Sequence, residues 1–291
     1  MRKLFKRCSY ILIIFTMFFS VIGCNKEVSN IEKLTIAVSI VPEETFVKAV
    51  GGDLVEVVTM IPPGNSPENY APSPRELELL SKSSVYFSID VPTEKANILP
   101  KLSSINENIE VVSLASEVSK VYKDREFSIG KRDPHIWLSP KRVKVIVGAI
   151  KDKLCEIDPD HQEAYIKNAK EYIEKLDELD NNVKKSIRDL PKKEFLVYHP
   201  AFGYFADDYG LKMIPIEEDG KEATIEDIKR IIDYAKKEEI KTIFYQAEID
   251  SKQSRVIAEE IEGNTKEIAP LAPNYIENIE KMANTFSKAL K

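Results

Sequence analysis

Two histidines in this chain stand beside a proline that stiffens the turn carrying them. His135 lies in Asp133-Pro-His-Ile-Trp-Leu-Ser-Pro140, and His199 lies in Tyr198-His-Pro-Ala-Phe-Gly-Tyr-Phe205. Proline fixes its own φ and pushes the preceding residue toward extended geometry, so each imidazole is presented with little freedom to lose on binding. The first of these segments also reads as an ordinary helix start, with Ser139 as N-cap and Pro140 at the first helical position, and the two readings are compatible. Carboxylates stand in comparable places: Glu68 in a proline-rich loop, and Glu248 and Asp250 just beyond an apolar run ending at Tyr245. Two imidazoles with two carboxylates suit a borderline divalent cation such as Zn(II) or Mn(II) and would make a poor calcium site. The third histidine, His161, falls in the first turn of a long helical pattern and is expected to be exposed and without a role. No His-Glu-x-x-His, Gly-x-Ser-x-Gly or glycine-rich phosphate loop is present, and no cysteine is placed for nucleophilic work. A metal-dependent hydrolase stays open at this point, because the same four residues could hold a catalytic ion.

These side chains need elements to hold them. Residues 34–41 alternate and are rich in β-branched types, residues 44–50 are helical up to Gly51-Gly52, and residues 54–61 form a second strand. Strand, helix, strand implies a parallel pair joined by a crossover. The loop over residues 62–74 holds five prolines in thirteen residues and ends in a capping box, Ser73 with Glu76. It leaves the C-terminal end of a parallel strand, where open α/β sheets bind ligands. A helix over 74–82, strands at 85–89 and 109–114, a partly helical stretch over 92–102 and an exposed polar loop over 117–132 follow. Residues 140–157 then form an amphipathic helix. A second, much longer one over 159–190 would span about 45 Å at the usual rise, more than a small lobe needs. It reads as a strut between lobes, with a coiled coil as the alternative. The second half repeats the grammar of the first. Strands at 194–198, 211–216 and 242–245 alternate with helices at 201–209, 224–237, 252–261 and 274–291, so a second α/β lobe is expected.

At 291 residues, two lobes or two domains is the natural prior. The N-terminus is a separate matter. Arg2, Lys3, Lys6 and Arg7 precede an apolar run from Tyr10 to Ile22, a pattern of export rather than of a membrane span. Removing residues 1–23 takes away four positive charges and no negative ones, moving the formal net charge from -6 to -10. An acidic surface argues against nucleic acid as a partner and mildly favours cations. Cys8 leaves with the signal, and Cys155 lies in an apolar helical pattern with Val147, Ile150 and Leu154, where it is expected in the core.

The motifs together resemble a known family. The N-terminal Val21-Ile-Gly-Cys24 resembles a bacterial lipoprotein signal, which implies that Cys24 is lipidated and that residues 24–33 are a tether. Gly64-Asn-Ser-Pro-Glu-Asn-Tyr-Ala-Pro-Ser-Pro74, the segments around His135 and His199, Tyr209-Gly-Leu211 and Ile243-Phe-Tyr-Gln-Ala-Glu-Ile-Asp250 resemble the solute-binding lipoproteins of bacterial zinc and manganese ABC transporters. The resemblance implies an N-terminal α/β lobe over 34–158, a backbone helix over 159–190 and a C-terminal α/β lobe over 191–291. Each lobe is then a mostly parallel sheet flanked by helices, with the metal in the cleft. It further implies Glu68, His135, His199 and Asp250 as the ligands. The chain would be a non-enzymatic, monomeric receptor, anchored through Cys24 on the outer side of the cell membrane and delivering its metal to an ABC permease. The family usually has His where this chain has Glu68, which makes the site harder and more anionic. The loop over 117–132 lacks the His-rich insert of many zinc-specific members, whereas His199 resembles the zinc type. Zinc is expected, with manganese open; a surface hydrolase and an adhesin with a structural metal are the alternatives.

Overall fold

Short runs of β-branched and aromatic residues build two all-parallel sheets. In the first, β1 (Leu34–Val38), β2 (Val55–Thr59), β3 (Val85–Ser88) and β4 (Glu110–Ser113) lie in the order β2-β1-β3-β4, with Ile36 level with Val57 and Val85. In the second, β7 (Glu194–Val197), β8 (Lys212–Pro215), β9 (Thr242–Gln246) and β10 (Asn264–Ile268) lie in the order β10-β9-β7-β8. All four residues of β3 are buried, as expected of a strand covered on both faces. The structure is a computed structural model describing residues 33–217, 221–249 and 252–291. The expected signal and the tether up to residue 32, with Cys24, and the expected ligand Asp250 therefore lie outside the described residues.

Helices cover both sheets. In the first half these are α1 (Val41–Gly51), α2 (Pro74–Leu80), α3 (Leu102–Ile105) and α4 (Leu114–Ser119). Then come α5 (Pro140–Ile157) and α6 (Gln162–Ile187), and in the second half α7 (Gly203–Tyr209), α8 (Ile225–Lys237), α9 (Lys252–Glu260) and α10 (Tyr275–Ala289). The predicted starts hold chemically: Ser73 and Glu76 form the capping box of α2, Ser139 accepts from the Arg142 amide at the head of α5, and Thr224 from the Asp227 amide at the head of α8. Gly210 ends α7 at φ 67, a left-handed position that costs a glycine nothing.

α6, 26 residues long, spans about 39 Å and joins the two lobes. It packs against α5, α10 and α1 of its own chain, so the coiled-coil reading falls away. One continuous apolar core runs from Phe46 and Val47 through Leu176 and Leu179 to Phe195 and Phe286. The Phe286 ring of α10 stands 4.6 to 5.5 Å from the rings of Phe195, Phe202, Phe205 and Phe244, which locks the terminal helix to the second sheet.

Some expectations need correction. The polar stretch over 117–132 is not all loop: it finishes α4 and then forms an antiparallel hairpin, β5 (Glu126–Ser128) with β6 (Lys131–Arg132), turning at Gly130 with φ 77. β10 was not expected at all, because Asn-Thr-Lys-Glu-Ile is a mostly exposed edge strand with little apolar signal. α1 begins at Val41 rather than 44. Cys155 is half-buried at the rim of the core rather than inside it. Its Sγ donates weakly to the Gln162 carbonyl at 3.8 Å, and burial pushes its thiol pKa up, consistent with an inert cysteine.

Candidate metal centre

The turn around His135 is built from its own sequence. Asp133, fully buried, accepts the His135 amide at 3.0 Å through Oδ1, and the same oxygen stands 2.8 Å from His135 Nδ1. The Asp-Pro-His order thus folds into a side-chain turn that fixes both the backbone and the ring. Arg125 Nε lies 3.3 Å from the other Asp133 oxygen, and the Tyr204 hydroxyl donates to the Asp133 carbonyl at 3.0 Å. Gly203 makes room for this arrangement, since a Cβ there would lie 1.9 Å from Arg125 Nε and 2.7 Å from Asp133 Oδ2. Trp137 packs on the His135 ring at 5.1 Å between centroids and donates its indole N–H to the Pro270 carbonyl at 3.1 Å, tying the turn to the second lobe.

His199 comes from the opposite side, two residues beyond β7. Its Nδ1 faces Glu217 Oε1 at 3.1 Å, and both side chains are buried. Sequence reasoning missed Glu217. The signal was in the sheet: Val197 is level with Pro215, and the ladder runs on through Ile216 N to Val197 O and Glu217 N to Tyr198 O. Two residues past a paired position on neighbouring strands, His199 and Glu217 must meet.

Both imidazoles therefore turn Nδ1 toward a carboxylate, which assigns the proton to Nδ1 and leaves a lone pair on each Nε2. The two Nε2 atoms are 3.3 Å apart, and Glu68 Oε1 lies 3.7 Å from His199 Nε2. With both ring protons used elsewhere, that nitrogen pair is not a hydrogen bond but two acceptors aimed at one point. Two nitrogens each about 2.0–2.1 Å from a tetrahedral zinc would sit about 3.4 Å apart, which is this spacing. Among the described residues, Glu68, His135 and His199 are the one group of His, Cys, Asp and Glu whose ligand atoms all lie within 4.8 Å of one another. Glu248 is half-buried, with one carboxylate oxygen lacking a hydrogen-bond partner, and burial raises its pKa; it is not in the group. His161 is half-buried rather than exposed, pairs with Asp158 at 2.8 Å and is not in the group either. A cavity of about 740 Å³ opens beside the centre, with Phe127, Pro200 and Glu217 among its walls.

Residues 36–289 match the family described as zinc-uptake complex component A, periplasmic. The chain belongs to this family. Its relatives include the high-affinity zinc uptake system protein ZnuA of Bacillus subtilis (strain 168), 28% identical over 96% of this chain and 91% of that protein. They also include the manganese ABC transporter substrate-binding lipoprotein PsaA of Streptococcus anginosus, 26% identical over 88% of this chain and 86% of that protein. A crystal structure of ZnuA superposes with a TM-score of 0.85 at 33% identity, covering 89% of this chain and all of that one. The periplasmic zinc binding protein TroA of Treponema pallidum, at 20% identity and a TM-score of 0.81, shares the fold. Members of the zinc-uptake family are substrate-binding components of transporters and not enzymes, which removes the hydrolase reading.

Proposed function

We propose that this protein captures a divalent transition metal, zinc first and manganese second, outside the cytoplasm and passes it to an ABC permease. The observation that carries the reading is the pair of Nε2 lone pairs converging at 3.3 Å with the Glu68 carboxylate beside them. Such a cluster is repulsive without a cation and attractive with one. Glu68, His135 and His199 are the ligands in this reading, and Asp250 completes the set from the segment after β9, the strand next to β7. Two nitrogens with one or two carboxylates accept zinc readily and admit the harder Mn(II). Residues 1–23 act as the signal, Cys24 carries the lipid, and the receptor works as a monomer on the outer face of the membrane. The domain bounds 34–158, 159–190 and 191–291 belong to the same reading.

Equilibrium competition between apo-protein and a chelator of known zinc affinity tests it. One zinc per chain is expected, with His135→Ala and His199→Ala each weakening binding by more than roughly 100-fold, beyond the usual effect of losing an outer partner. Wild-type affinity in either variant would overturn the assignment. For the anchor, Cys24→Ser should move the protein from the membrane fraction to the soluble one.

A further inference from the structure

Glu68 sits on a loop whose backbone is gripped at both ends by one short segment of the neighbouring connection. The Thr93 amide donates to the Pro67 carbonyl at 3.0 Å, immediately before Glu68. Two residues after it, the Tyr70 carbonyl accepts from Asn97 Nδ2 at 2.7 Å and from Thr93 Oγ1 at 3.3 Å. The gripping segment is in turn shaped by Glu94, which is fully buried at the start of a single π-helical turn over Glu94–Ile98. Its carboxylate accepts the Ile89 and Asp90 amides, both at 2.8 Å, and the Ser39 hydroxyl. Asp90 stands at φ 76, a left-handed conformation that a non-glycine residue keeps only when something holds it, and Glu94 supplies that hold. Ser39, at the end of β1, also donates its amide to Glu43 of α1 at 3.0 Å, so the clamp is rooted in the first sheet and its first helix. A donor or acceptor left unpaired in a buried place is more costly than one that stays hydrogen-bonded, so the arrangement is strongly specified.

Resting on the metal-receptor reading, we propose that Glu94 is a positioning residue of the metal centre: it shapes the turn through which Thr93 and Asn97 hold the Glu68 loop at the distance the metal requires. Glu94 touches no ligand atom itself. Its effect on metal affinity must therefore pass through Glu68, and that distinguishes it from a residue that merely stabilises the lobe.

A double-mutant cycle on the full chain reads this directly, with zinc affinity measured by chelator competition. Glu94→Ala is expected to weaken zinc binding roughly 10- to 100-fold in the wild-type background, as loss of an outer partner does, and by less than about threefold when Glu68 is already Ala. Should Glu94→Ala fail to fold, Asn97→Ala removes only the grip on Tyr70 and is expected to show the same non-additivity with a smaller loss. Equal losses in both backgrounds, or no loss with Glu68 intact, would overturn the proposal while leaving the metal site standing. If Glu68→Ala alone kept wild-type zinc affinity, the ligand assignment itself would fall, and the positioning role with it.

Discussion

At the scale of single residues, the centre is two imidazoles, each oriented by its own carboxylate, facing one further carboxylate across a narrow gap. Asp133 and Glu217 do more than hold rings: accepting the Nδ1–H makes each Nε2 a better donor to a metal. Glu217→Ala should therefore weaken zinc binding roughly 10- to 100-fold, while Glu217→Gln, which keeps an acceptor oxygen, should recover most of it. Chelator competition on the two variants separates this from simple packing loss. As a ligand in the proposed reading, Glu68 would set the hardness of the site. Replacing it by His should raise the preference for zinc over manganese, read as the ratio of the two dissociation constants. Glu68, His135 and His199 were legible in the sequence because prolines and strand ends mark the loops that carry them. Glu217 was not, because its link to His199 depends on which strands are neighbours, and nothing local to Ile216-Glu217 states that.

At the scale of elements, the site depends on how α5 and α7 begin. Ser139 caps α5 and also donates to Asp208 of α7, beside the Arg142 to Asp208 ion pair at 3.2 Å. Ser139→Ala should cost about 0.5–2 kcal/mol in thermal or urea unfolding for the cap alone. Gly203 is required by close approach rather than by its own backbone angle, so Gly203→Ala should force Arg125 and Asp133 apart. A loss of about 1–3 kcal/mol is expected for such overpacking, together with weaker zinc binding through the Asp133 turn. Most elements could be read from periodicity, with α5 matched end to end at Pro140–Ile157. Helix α4, the β5–β6 hairpin and β10 escaped; the hairpin and β10 are short and polar, and their pairing is decided by what lies next to them. β-Propensity carries little information at such edges.

At the scale of the molecule, α6 and the shared core join two sheets into one frame, with Glu68 and His135 arriving from the first half of the chain and His199 from the second. The frame also carries a buried acidic pair outside the Glu68, His135 and His199 group. Burial raises the Glu43 pKa well above the usual carboxylate range, with the nearby Glu94 adding to it, and burial raises Glu94 to about 7. Such a group keeps a proton in the folded chain that the unfolded chain releases, so its contribution favours folding at acid pH. That contribution is lost as pH rises from about 4.5 through about 7. Unfolding midpoints of the metal-free protein should accordingly fall between pH 5 and pH 7.5 on account of this pair, and Glu94→Gln should flatten the slope.

The most direct measurement of the central claim is the coordination of zinc in the loaded protein, by X-ray absorption or a crystal structure. The expected result is a single ion about 2.0–2.1 Å from His135 Nε2 and His199 Nε2, with a Glu68 oxygen in its shell. A zinc held elsewhere, for instance by His161 and Asp158, with the two inner imidazoles free, would contradict it.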